Sequence, residues 1–347
     1  MAADRRARRI VGRIPFVVGL VAILAFVNVA VGAAYDQVAG RRSAPVARWS
    51  PLGDADQQAA RLSSSAMAGE PWRADYGDEL AALRYRYETF LTYDQVDHHG
   101  RYVNIVDGRR RTAPARSAGG PLPVVSINGG SLAFGVGQRD DHTIASELAR
   151  LAAADGMAIR VVNAGRPGWT SWQSMLGFER DLTSGRRPDI AVFLGGAEDL
   201  TGQPTAEGRL SFADLPGLQS AVLGRTAPEQ RGARIRAGYA RLSVAHRAAR
   251  MLGVGRHGSG PRPVTRLEVG TAQGREGVRA NARAWAIAHQ LGVDAGVATH
   301  SYWQPMLLAD RAAAARSVAG LGPGTVDLSG LLRDRPSAFV DPGDVDE

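Results

Sequence analysis

The sequence predicts a three-layer α/β/α domain with a mainly parallel sheet, held behind one N-terminal transmembrane helix. Three observations carry this. From Val124 onward, short apolar runs alternate with stretches of helical spacing, as in chains whose parallel strands are joined by helices. The apolar runs end in Gly-rich or polar segments, which places those segments on the rim beyond the carboxyl ends of the strands. Near the N-terminus, Ile14–Ala34 is an apolar run of about 21 residues whose only strongly polar member is Asn28, long enough to span a bilayer.

The basic residues Arg5, Arg6, Arg8, Arg9 and Arg13 precede that run and Asp36 follows it. This asymmetry puts the N-terminus in the cytoplasm and the main domain outside. The run exceeds the apolar core of a cleavable signal, roughly 7–15 residues. An uncleaved anchor is therefore expected, with a cleaved signal ending near Val31-Gly32-Ala33, or a buried helix, as the alternatives. The organisation expected is a cytoplasmic tail and anchor over 1–35, an extracytoplasmic tether and lead-in helix over 36–120, and the α/β domain over 121–347 with an insertion at about 201–263.

Composition narrows the function classes. The chain has 347 residues, a net charge of +8 and no cysteine. Disulfides and thiolate metal sites are therefore excluded. All 42 basic residues are Arg, and half of the charge excess sits ahead of the apolar run. No basic stripe is interleaved with aromatics, so no nucleic-acid partner is expected. His98 and His99 stand side by side, but a metal site would need further ligands brought to them, so no metal is expected either.

The elements follow in order. Tyr35–Trp72 reads as a polar tether. Leu80, Leu83, Tyr87, Phe90 and Leu91 recur at helical spacing and predict an amphipathic helix. Tyr102–Val106 reads as a short strand, and Arg109–Arg111 as a solvated basic loop. Val124–Ile127 predicts a buried strand, and Gly129-Gly130 a sharp turn before Ser131. A serine at such a turn is either an exposed nucleophile or a turn residue that caps the next segment. Thr143 is expected to cap a helix with Ile144, Leu148 and Leu151 inward, and Ser171 one with Met175, Leu176 and Leu182 inward. Ile159–Val162, Ile190–Leu194 and Val297–His300 predict further strands. Val278, Ala282, Trp285 and Leu291 mark a later helix, and Ala338–Val340 a last short strand. Ile235, Tyr239, Leu242 and Leu252 suggest a helix inside the insertion.

Polar groups now stand at three strand ends: Ser131, then Asn163-Ala164-Gly165-Arg166-Pro167-Gly168, then Gly195-Gly196-Ala197-Glu198-Asp199, with Asp341 near the C-terminus. In order and spacing this resembles the SGNH/GDSL hydrolase family, over roughly Tyr85 to Glu347. Asn104–Thr112, Arg139–Thr143, Gly168–Gln173 and Trp303-Gln304-Pro305 resemble segments of its membrane-anchored bacterial members. The resemblance implies a flavodoxin-like fold and acyl transfer to serine without metal or organic cofactor. By position, Ser131 would be the nucleophile, Gly168 an oxyanion donor and Asp341 the orienting carboxylate. Two positions depart from the pattern. Glu198 stands where the family has its oxyanion Asn, and Asp344 where it has its His. The chain ends at Glu347, where family members continue into a closing helix. His142 and His300 are the nearest substitutes for the missing imidazole. The resemblance implies an ester hydrolase or acyl transferase acting on acylated envelope glycans or lipids. The alternative is a pseudoenzyme that binds an acylated glycan or a protein partner.

Overall fold

The computed structural model describes residues 50–52, 58, 61–64, 66–67, 69–115, 120–201, 203–204, 210–211, 267, 269–309, 321 and 324–340. The apolar run 14–34, the helix expected near Ile235, and Asp341 and Asp344 lie outside them. Among the described residues no helix is long and apolar enough to cross a membrane.

The first helix, α1 (Arg73–Ala82), stops well before Tyr87. Tyr85 onward forms a hairpin of β1 (Tyr85–Glu88) and β2 (Thr92–Gln95), which corrects the helix expected through Leu91. The spacing of Leu80, Leu83 and Tyr87 fits a helix, but Tyr85-Arg86-Tyr87-Glu88 also alternates with the period of a strand. The hairpin leaves Phe90 exposed at its turn and buries Leu91 and Tyr93 against Trp169. Then come β3 (His98–His99), β4 (Asn104–Val106) and β5 (Arg109–Arg110), joined antiparallel. The basic run is therefore not a solvated loop. Arg110 is 2% exposed, and its charge is met inside the protein.

The parallel part follows: β6 (Val124–Gly129), the short α2 (Ser131–Phe134), α3 (Ile144–Ala154), β7 (Arg160–Asn163), α4 (Ser171–Thr183), β8 (Ile190–Gly195) and α5 (Ala197–Thr201). After the short pair β9 (Gln203–Pro204) and β10 (Leu210–Ser211) come the long α6 (Ala272–Ala295), β11 (Ala298–Trp303) and β12 (Thr325–Asp327). One eight-stranded sheet runs β12-β11-β8-β6-β7-β5-β4-β3. Its five strands from β12 to β7 are parallel. Numbered among themselves in chain order, these five give 2-1-3-4-5, the flavodoxin-like arrangement. The chain leaves β6 to one side for β7 and returns to its other side for β8. The rim above β6 is therefore the switch point where ligands bind in such sheets.

Thr143 caps α3 as expected, accepting from Ser146 N at 3.2 Å. Leu151 is 64% exposed, however, and Ala145, Ala149 and Ala152 form the buried face instead. Small side chains let that helix lie close to β6 and β7. The cap of α4 is Thr170 rather than Ser171: Gln173 Oε1 accepts from Thr170 N at 3.1 Å, and Ser171 is freed for another partner. The expected strand at Ala338–Val340 is a 3-10 turn, Pro336–Ala338, with the parallel edge supplied by β12. Leu52, Met67 and Trp72 from the expected tether are buried in a cluster with Tyr76, Phe134, Val136 and Val340. The end of that polar segment thus packs on the domain.

Candidate active site

Ser131 opens α2, directly beyond β6. The helix is short, and its end is fastened from below. Arg110 donates to Phe134 O at 3.0 Å, Gly135 O at 2.6 Å and Gln138 O at 2.5 Å. Its Nε donates to Asp140 Oδ1 at 3.0 Å, and its guanidinium lies 4.6 Å from the centre of the Phe134 ring. A planar guanidinium with five donors can serve several carbonyls at once. Asn163 Nδ2 adds a bond to Phe134 O at 3.2 Å. The Tyr76 hydroxyl accepts from Gly137 N at 2.8 Å.

Gly168 comes to Ser131 on the turn after β7. Arg166 N donates to Gly129 O at 3.0 Å, which ties that turn to the end of β6. The Arg166 side chain, 1% exposed, donates to Ala164 O at 2.6 Å and to Asp94 Oδ1 at 3.0 Å. Arg180 completes Asp94 from α4 at 2.9 Å. Burial alone would raise the Asp94 carboxyl; the two guanidinium groups overcome it and hold it below the usual carboxylate value. Tyr93 donates its hydroxyl to Pro167 O at 2.6 Å, and Trp169 Nε1 donates to Tyr93 O at 3.2 Å. So clamped, Gly168 adopts φ +76° and donates its N–H to Ser131 Oγ at 3.2 Å. A side chain at Gly168 would be strained at this φ, and its Cβ would come within 2.9 Å of the Tyr93 hydroxyl and 3.0 Å of Pro51 Cβ.

Glu198 reaches the same serine from α5. Its Oε1 accepts from Ser131 N at 2.5 Å. A Cβ at position 130 would collide with this carboxyl group, so Gly130 makes the approach possible. Glu198 Oε2 is buried with no hydrogen-bond partner among the described residues. Burial pushes the Glu198 carboxyl up to about 7; the Ser131 amide, the amide of Glu198 itself and the Ser131 hydroxyl work against that rise, and Asp199 adds to it. Beside it, Asp199 is fully buried, accepting from Ser171 N at 3.0 Å and Asn281 Nδ2 at 3.0 Å. Ser171 Oγ donates to it at 2.5 Å. Burial raises the Asp199 carboxyl to about 6, against these hydrogen bonds. Asp199 thus fixes α5 to α4 and α6, and with it the position of Glu198.

Three of the five expected site residues therefore meet: Ser131, Gly168 and Glu198. Asp341 and Asp344 lie outside the described residues; the last described residue, Val340, is buried in the cluster that holds Phe134. His142 stands 3.6 Å from Glu147 on α3, and His300 is exposed in the middle of β11, opposite Val192. No group of three or more potential metal ligands occurs among the described residues. The reading of the sequence missed Asp94, Arg110, Ser171 and Asn281.

No protein-family model matches the chain, and no curated protein does. Among solved structures it is similar to AlinE4, an SGNH-hydrolase family esterase, at 24% identity over 49% of this chain and 98% of that one, with a TM-score of 0.24. A lipase/acylhydrolase from Enterococcus faecalis is 18% identical over 51% of this chain and 75% of its own, TM-score 0.22. A catalytic mutant of Axe2, an acetylxylan esterase from Geobacillus stearothermophilus, is 16% identical over 53% and 77%, TM-score 0.24. The fold assignment rests on the strand order above, not on these superpositions.

Proposed function

We propose that this chain is a serine ester hydrolase or acyl transferase of SGNH type, with Ser131 as nucleophile. The observation that carries the reading is the Gly168 N–H, 3.2 Å from Ser131 Oγ at the switch point of the sheet. An amide that close to the nucleophile is in reach of the oxygen of a carbonyl under attack. Attack by Ser131 Oγ forms a new acyl ester and breaks the substrate's C–O bond. The departing alcohol carries off the proton that the serine gives up. Water, or the hydroxyl of an acceptor, then takes the acyl group from Ser131. Asp341 and Asp344 are assigned by resemblance to the proton-handling side. A carboxylate in place of imidazole relays protons poorly near neutrality, so turnover is slow.

The arginines ahead of the apolar run 14–34 support an anchor with the domain outside the cytoplasm. That location would make acyl groups on envelope glycans or lipids the substrates. A second reading, a cleft that binds an acylated glycan or protein partner without turnover, is favoured by one observation: the Ser131 amide is already occupied by Glu198. Hydrolysis of p-nitrophenyl acetate tests the choice. Slow release of nitrophenol that disappears in Ser131→Ala supports the enzyme, and the same rate in both proteins refutes it.

A further inference from the structure

Two backbone N–H groups converge on the nucleophile, and only one is directed at its hydroxyl. The Gly168 amide faces Ser131 Oγ, whereas the Ser131 amide is bonded to Glu198 Oε1 at 2.5 Å. The oxygen of an acyl carbonyl attacked by Ser131 is stabilised by whichever fixed donors face it, and the Ser131 and Gly168 amides are the backbone donors beside this nucleophile. We propose that the Glu198 carboxylate is the resident ligand of the Ser131 amide, which an acyl carbonyl held between the Ser131 and Gly168 amides must displace. The consequence for catalysis rests on Ser131 being the nucleophile; the occupancy of the amide does not.

Three features mark Glu198 as a built-in ligand. Its seat depends on Gly130, since any Cβ there would strike the carboxyl group. Its carrier α5 is pinned through Asp199 to Ser171 and Asn281, so the carboxylate is delivered from a fixed base. Its second oxygen is buried with no hydrogen-bond partner among the described residues, an unsatisfied acceptor beside the serine.

The charged and titratable neighbours favour loss of the charge rather than its retention. Asp199 lies on the same helix and repels it. From β2 comes Tyr93, kept neutral by burial, whose hydroxyl donates to Pro167 O. Gly129, Gly130 and Ser131 bring no charge. Ionised, Glu198 competes with the carbonyl oxygen and repels the developing oxyanion. Neutral, it can turn its O–H toward that oxygen and donate, as the amide of an Asn would. Acylation of Ser131 should therefore weaken as pH rises through about 7, the value to which burial raises this carboxyl.

The test is single-turnover acylation of the full chain by p-nitrophenyl acetate, for wild type, Glu198→Gln and Ser131→Ala. The expected result is that Glu198→Gln reacts about tenfold faster than wild type near pH 8, with the two converging to about twofold near pH 5.5. A slower Glu198→Gln would make the carboxylate a general base, and a ratio constant with pH would remove its titration; either overturns the proposal. Acyl adduct formed equally in Ser131→Ala would instead refute the nucleophile. The occupancy is then decided by calorimetry with sodium acetate near pH 8. Glu198→Ala, which leaves the Ser131 amide without its side-chain acceptor, should bind acetate about tenfold more tightly than wild type, and equal affinities would overturn the proposal.

Discussion

The Ser131 amide donates its hydrogen to Glu198 Oε1 at 2.5 Å, joining the first residue of α2 to α5 across the switch point of the sheet. The contact has an energetic signature apart from any reaction. The folded state holds the Glu198 proton up to about 7, above the ordinary value that the unfolded chain would show. Between the two values the folded state binds more protons, so stability falls as pH rises and the loss is complete above about 7. Glu198→Gln keeps the acceptor and removes the titration. It should be more stable than wild type by about 1–3 kcal/mol near pH 8, and the advantage should vanish near pH 4. Urea unfolding midpoints at the two pH values check this.

Asp94 works with the opposite sign. Its carboxyl is held below its ordinary value by Arg166 and Arg180, so its contribution is present above the unfolded value and lost as pH falls through the folded one. Asp94→Asn should flatten the acid limb of the stability curve below about pH 4. It should also cost about 3–5 kcal/mol near neutrality, because Arg166 stays buried without its partner. Denaturation curves across pH measure both effects.

Gly168→Ala should hit turnover harder than binding. The positive φ of this residue costs an L side chain about 1–2 kcal/mol. The new Cβ would also press on the Tyr93 hydroxyl and shift the N–H. Loss of one oxyanion donor predicts a fall in kcat of roughly 10²-fold with KM little changed. Steady-state hydrolysis of p-nitrophenyl acetate separates the two parameters.

The strands β6, β7, β8 and β11 were legible from local pattern, whereas the placing of Gly168 beside Ser131 came from the resemblance to the SGNH/GDSL family. Apolar runs ending in Gly read directly as strands feeding a rim, and Thr143 announced its helix. The frame around the site was not legible. Arg110 reads as one of three surface arginines until Asp140, thirty residues on, is brought beside it. Asp94 meets Arg166 across 72 residues, and Ser171 meets Asn281 across 110. Such pairings arise from packing and leave no local period. The hairpin at Tyr85–Gln95 failed for a different reason: its residues satisfy both a helical and an alternating spacing, and pairing between the two strands decided.

The expected topology has its own measurement. With Arg5, Arg6, Arg8, Arg9 and Arg13 ahead of the run 14–34 against Arg41, Arg42 and Arg48 after it, a reporter fused after Glu347 should be active if it requires an extracytoplasmic location. Activity of a reporter that works only in the cytoplasm would contradict it.

Covalent trapping by a fluorophosphonate, followed by peptide mass spectrometry, tests directly whether Ser131 is the nucleophile of the proposed acyl-transfer site. One adduct is expected, on Ser131, formed faster in Glu198→Gln and absent from Ser131→Ala. A folded protein that remains unlabelled at Ser131 in both the wild type and Glu198→Gln, or is labelled at another residue, would contradict it.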